Sequence, residues 1–221
     1  LMNSLRFGPL DDSRNRYMFE GVVSGISGYG NCIGVPNVGG ETFFSGSYSG
    51  NPLVNAMCVG IARIDQMVRA TTGGPGNVLL LVGADTGRDG IHGASGLASR
   101  TFEETEETLR PTVQVGNPFL EKKLIEACLE VSKLDVVVGV QDLGAAGLTS
   151  SVVEAASNGG SGVEIDVSLV SRRDADMDPY EIMLSESQER MLIVVRDGQE
   201  SLVQKIFDKW DLESSVIGKV T

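Results

Sequence analysis

Residues 134–158 read LDVVVGVQDLGAAGLTSSVVEAASN. The run at 134–140 is rich in valine and has the length of a buried strand. It ends in Gln141-Asp142, turns through Gly144 and Gly147, and enters a segment that reads as a helix over 148–158. A strand that turns through glycines into a helix is the unit from which layered sheet-and-helix domains are built. The same alternation continues on both sides. Upstream, 77–82 reads as a strand and 83–96 as a glycine loop. Asn117-Pro118 then opens a helix to about 133, with Asn as N-cap and Pro in the first turn. Leu120, Leu124, Ala127, Cys128 and Val131 share one face of it. Downstream, strands are predicted over 163–167, 191–195 and 215–220, with helices over 178–184 and 198–210. The fold class expected is α/β (α+β).

Ahead of this domain the pattern is different. Residues 12–28 read as a helix stopped by Gly25, Gly28 and Gly30. Residues 31–51 are rich in Gly, Ser, Asn and Pro and read mostly as loop, and 53–64 as a strand. Thr71-Thr72-Gly73-Gly74-Pro75-Gly76 is the best linker candidate. It sets the expected organisation at residues 1–70 for a first domain and 76–221 for a second.

Composition excludes several classes. With 18 Lys plus Arg against 30 Asp plus Glu, the net charge of −12 opposes nucleic-acid binding, which needs clustered cations. No stretch has the roughly 18 uncharged apolar residues of a membrane helix. The opening residues lack the apolar core of a signal peptide. The chain does not start with Met, so it reads as an internal piece. Cys32, Cys58 and Cys128 are far apart, which argues against zinc and against a disulfide framework. Cys58 and Cys128 sit in apolar patterns and read as buried thiols. The cytoplasm is the expected compartment.

Four segments are candidates for chemistry. Asp142 stands at the carboxyl end of a strand, where sheets of this kind place ligands. The helix start after it offers backbone N–H groups suited to phosphate. An Asp there is useful if a cation such as Mg²⁺ lies between; the competing reading is that it only caps the helix. The glycine loop Gly83–Ala94 (83–94) lacks both the GK[ST] ending and GxGxxG, and its His92 has no nucleophile to pair with. Ser185-Glu186-Ser187-Gln188-Glu189-Arg190 is dense in donors and acceptors for hydroxyls or phosphate, or else a solvated turn. Gln114, between Val113 and Val115, is a neutral donor and acceptor that means little alone.

The strings GNPLVNAMCVG (50–60), GRDGIHGA (87–94), VQVGNPF (113–119), QDLGAAGLTSS (141–151) and MLSESQERML (183–192) closely resemble the synthetase subunit of phosphoribosylformylglycinamidine synthase. The resemblance runs along essentially the whole chain, and is to the small multi-subunit bacterial form. Gly39-Gly40-Glu41-Thr42 is similar to a segment shared with ATP-using relatives, including aminoimidazole ribonucleotide synthetase, which is the enzyme alternative. A non-catalytic nucleotide- or partner-binding module is the other.

The resemblance implies a truncated N-terminal-type domain of the aminoimidazole ribonucleotide synthetase-like fold, followed by its C-terminal-type domain. It implies ATP as substrate, Mg²⁺, formylglycinamide ribonucleotide, and partners that comprise a glutaminase subunit and a small accessory subunit. Asp142 matches a Mg²⁺ ligand, and Gln114 and the triplet Glu186, Ser187 and Gln188 match substrate contacts. The family's catalytic histidine corresponds to a position upstream of Leu1, so no catalytic residue is expected within this chain, and the isolated piece is expected to be inactive. A homo-oligomer through the first domain is possible on the same basis.

Overall fold

The computed structural model describes residues 1–91 and 114–221. The loop beyond Ile91, with His92, and the acidic run at 103–107 lie outside the described residues. The chain divides into two compact units, Leu1–Ala62 and Arg63–Thr221.

In the first unit, β1 (Met2–Phe7) is the middle strand of three. It pairs in parallel with β2 (Gly39–Phe44) and antiparallel with β3 (Leu53–Met57). Helix α1 (Ser13–Ile33) makes the crossover between the parallel pair. Asp12 starts it, accepting from the backbone N–H of Arg14 at 2.7 Å and Asn15 at 3.3 Å. Gly34, at φ 77°, ends it. The stop is therefore Gly34, and Gly25, Gly28 and Gly30 lie inside the helix. Glycine in a helix interior lowers stability without forbidding the turn, whereas a left-handed C-cap needs the missing Cβ. Phe7, fully buried, and Phe44 stack edge-on against Phe19, with ring centroids 5.1 and 5.7 Å from it. β2 occupies a segment expected to be loop, because the pairing partner in β1 supplies what its weak local pattern lacks. β3 is exposed along its length, and Cys58 just after it is exposed rather than buried.

The second unit is built on a five-stranded sheet, ordered β5-β7-β4-β8-β6. The strands are β4 (Val78–Gly83), β5 (Val137–Asp142), β6 (Val163–Ile165), β7 (Arg190–Val195) and β8 (Glu213–Val220). Every adjacent pair is antiparallel. Strands and helices alternate as the sequence indicates, yet the sheet is of the α+β kind. Helices cover both faces, so its central strands are as continuously apolar as those of a parallel sheet, and local pattern does not encode strand direction.

Side-chain alternation divides β4 between two cores. Leu79 and Leu81 meet Leu148 and Val152 of α3 (Gly147–Gly159) and Ile182 of α4 (Pro179–Leu184). Val78, Leu80 and Val82 meet Leu124, Ala127 and Val131 of α2 (Pro118–Val131), together with Val203 and Phe207 of α5 (Glu200–Lys209). Asn117 caps α2 through the N–H of Leu120 at 3.1 Å, and Asp178 and Glu181 form a reciprocal capping box on α4.

The 71–76 segment, expected as a linker, is packed structure within this unit. Thr72 is fully buried, its hydroxyl 2.6 Å from that of Ser161. The Thr71 carbonyl comes so close to Gly139 that a Cβ there would lie 1.9 Å from its oxygen.

Candidate functional site

The loop between α4 and β7 carries Glu186, Ser187 and Gln188. Ile182 anchors α4 in the core and Arg190 starts a central strand, so both ends of the loop are fixed. Glu189 takes a left-handed conformation at φ 57°. Its carbonyl accepts the N–H of Ala84 at 2.9 Å, which ties the loop to the turn leaving β4.

Glu186 is only 3% exposed. Its carboxylate accepts the N–H of Ala146, the residue preceding α3, at 2.9 Å, and also the side-chain amide of Gln114. Gln188 donates from Nε2 to Gln114 Oε1 at 3.2 Å and to the Glu186 carbonyl at 2.8 Å. Hydrogen bonds thus link Gln188, Gln114, Glu186 and the start of α3, with Glu186 accepting from both sides. Gly90 makes this closeness possible. At φ 63°, a Cβ there would lie 2.6 Å from Glu186 Cβ and 2.9 Å from Gln114 Cγ.

Asp142, at the end of β5, is solvent-exposed. Gln141 Nε2 donates to its Oδ1 at 3.1 Å and to Glu154 Oε2 at the same distance. Asp142 does not cap the helix: α3 has no side-chain cap, and its N-cap residue is Ala146 at φ 63°. The expected phosphate-binding helix start is altered too, since one of its N–H groups already belongs to Glu186.

Gln114, Asp142, Glu186 and Gln188 together line one open cleft of about 580 Å³. Leu124, Ile125, Cys128 and Met191 form its apolar wall. Ser187 is the exception. It is buried behind the cleft, donating to Asp89 and accepting the N–H of Gly87 at 3.0 Å. Arg173 bridges both oxygens of that Asp89 at 3.0 Å. Ser187 therefore joins the triplet to the 83–91 loop, and that loop's link to the cleft went unread in the sequence. Glu121, Glu189 and Arg190 also line the cleft; Glu121 has no signal in the sequence, and the other two have only their place in the candidate segment 185–190.

Burial raises the Glu121 carboxyl above the usual carboxylate range, and the charge of Glu189 adds to it. Burial beside Glu121 pushes the Cys128 thiol up to about 12, so it is protonated and unreactive near neutral pH. Burial draws Arg190 down to about 10, leaving it charged. Four carboxylates (Glu121, Asp142, Glu186 and Glu189) therefore surround the cleft, a donor set of hard oxygens. Among the described residues no group of three His, Cys, Asp or Glu side chains forms a metal cage. Of the four, only Asp142 is exposed, and Mg²⁺ is commonly held by one or two carboxylates together with phosphate oxygens and water.

Residues 74–221 match the AIR synthase related protein C-terminal domain, and residues 1–62 match the corresponding N-terminal domain. The whole chain is 60% identical to the phosphoribosylformylglycinamidine synthase subunit PurL of Caldanaerobacter subterraneus subsp. tengcongensis, and spans 30% of that protein. Three solved structures from Thermotoga maritima are similar. PurL complexed with FGAR superposes with a TM-score of 0.90 at 40% identity, over 99% of this chain and 35% of that one. PurL complexed with ATP gives 0.83 at 38%, over 99% and 33%. PurLQS gives 0.85 at 37%, over 100% and 33%.

Proposed function

Because this chain belongs to the AIR synthase related protein family, we propose that it is a working part of an ATP-dependent ligase acting on formylglycinamide ribonucleotide. That enzyme uses ammonia from glutamine to make formylglycinamidine ribonucleotide, a step of purine synthesis. One observation carries the reading. Gln114, Asp142, and the pair Glu186 and Gln188, from three separate segments, converge on one cleft, in a chain similar along its whole length to PurL subunits. The binding of FGAR and of ATP by the Thermotoga maritima proteins supports both substrates.

In the proposed reaction the amide oxygen of the substrate attacks the γ-phosphorus of ATP, and ADP leaves. Ammonia then adds to the activated carbon, loses a proton, and phosphate departs. This chain's part is binding and orientation. The Gln114 carboxamide keeps one N–H for the substrate's polar groups and Gln188 offers its Oε1 as acceptor, the other N–H groups being taken by Glu186 and Gln114. Glu186 aims the Gln114 amide from below. Burial of Ser187 keeps the loop fixed while the cleft fills. Asp142 is the proposed Mg²⁺ ligand, and the bound ion would offset charge on the transferring phosphate. No residue of this chain is assigned the acid–base step. A glutaminase subunit and a small accessory subunit are the proposed partners, in keeping with the PurLQS structure, and the cytoplasm is the proposed setting.

The test uses a full-length synthetase subunit carrying this sequence. Supplied with ammonia, Mg²⁺, ATP and formylglycinamide ribonucleotide, it is expected to release ADP only when the ribonucleotide is present. ADP release that ignores the ribonucleotide, or none at all, would sink the proposal and leave a binding module.

A further inference from the structure

Arg190 is 3% exposed, and its guanidinium lies directly under the triplet. Three of its nitrogens donate to neutral oxygens. Nε donates to the Ser187 carbonyl at 2.9 Å, Nη2 to the Ser185 carbonyl at 2.6 Å, and Nη1 to Thr86 Oγ1 at 2.9 Å. Asp89 favours its charge through space, but none of the three bonds goes to a carboxylate, and burying a cation on neutral acceptors costs free energy that an apolar residue of similar volume would avoid. Its presence needs a reason beyond stability.

The geometry supplies one. The two gripped carbonyls belong to peptide planes on either side of Glu186 and Ser187, so the guanidinium fixes the backbone orientation from which Glu186 and Gln188 project into the cleft. The third contact carries that orientation to the 83–91 loop. Thr86 is itself held there, its N–H donating to the Ser171 carbonyl at 3.0 Å and its carbonyl accepting the N–H of Arg173 at 2.8 Å. One planar side chain thus registers three pieces of backbone: the end of α4, the triplet and the loop after β4.

Resting on the function proposed above, we infer that Arg190 is the positioning residue for ribonucleotide binding, acting through the Ser185 and Ser187 carbonyls, since all three guanidinium nitrogens are taken by protein oxygens. The fixed fork is the required feature, not the charge alone, since a lysine ammonium cannot span three acceptors in a plane.

The experiment places Arg190→Lys, Arg190→Met and Thr86→Val in the full-length subunit. Wild-type turnover is measured first, because its absence defeats the functional reading before any variant is made. Misplacement of binding groups by about 1 Å costs up to ~100-fold, so Arg190→Lys is expected to raise KM for the ribonucleotide about 10- to 100-fold. KM for ATP is expected to stay within about twofold. Thr86→Val keeps the fold and loses one contact, so it is expected to give a smaller rise in the same direction. Independently of activity, amide hydrogen exchange at residues 185–189 is expected to quicken in Arg190→Lys while the β4 core stays protected. Wild-type ribonucleotide KM in Arg190→Lys would overturn the inference. So would equal rises for both substrates, or unchanged exchange at the triplet.

Discussion

Replacing Glu186 with Gln tests the centre of the cleft. The side chain keeps its length and loses its charge and one acceptor oxygen. In the native structure the two carboxylate oxygens serve two donors, the Ala146 N–H at 2.9 Å and the Gln114 amide. A carboxamide satisfies one of them and turns an NH₂ toward the other. A hydrogen bond to a charged group is worth ~1.5–3 kcal/mol, and a negative charge at a helix start adds ~0.3–1 kcal/mol. Gln114 is exposed and escapes part of the penalty by turning to water. The net loss should therefore sit near the low end, about 1.5–2.5 kcal/mol. In a unit of about 160 residues, 1 kcal/mol moves the melting midpoint by roughly 2–4 °C, so a fall of roughly 3–10 °C is expected. The same energy, felt in substrate binding because Gln114 is no longer aimed, corresponds to a rise of about 10- to 60-fold in KM for the ribonucleotide. Scanning calorimetry and initial rates on the full-length subunit measure both. A midpoint within about 1 °C of wild type, together with an unchanged KM, would refute the claim that Glu186 holds Ala146 and Gln114.

Gln114→Ala and Gln188→Ala should each raise KM for the ribonucleotide more than KM for ATP, and steady-state kinetics with each substrate varied in turn decides it. Asp142→Asn should weaken Mg²⁺-dependent nucleotide binding strongly, because an amide is a poorer ligand for a hard cation; full activity at ordinary Mg²⁺ would remove the metal role. Glu121 has a folded-state pKa raised by burial. Its contribution to stability is therefore present when it is protonated and is lost as pH rises through the raised value. Glu121→Gln should then raise the melting midpoint at about pH 8 and change it little at about pH 4, and thermal melts at the two pH values would show the difference or its absence.

Much of the second unit was legible because its signals are local. The Asn117-Pro118 start of α2, the Asp178-Pro179 start of α4 and the apolar run of β4 are each written in a few consecutive residues. The first unit was harder. Gly25, Gly28 and Gly30 look like stops, but a helix with a tertiary partner tolerates them, and β2 exists because β1 pairs with it. The 71–76 glycine run read as a linker, since composition does not reveal that the Thr72 side chain is fully buried.

The sequence by itself determined the alternation of strands and helices, the net charge of −12, and Gln114, Asp142, Glu186 and Gln188 as members of recognisable strings. Only the tertiary structure decided that the sheet is antiparallel, that Gln114 meets Glu186, and that Ser187 faces away from the cleft toward Asp89. Periodicity records whether a residue faces an apolar layer, not which strand lies beside it. Hydrogen bonds between residues some seventy to a hundred positions apart leave no mark on the chain between them. They arise when packing of the two cores brings the 83–91 loop, the start of α3 and the 185–190 loop to the same end of β4, β5 and β7.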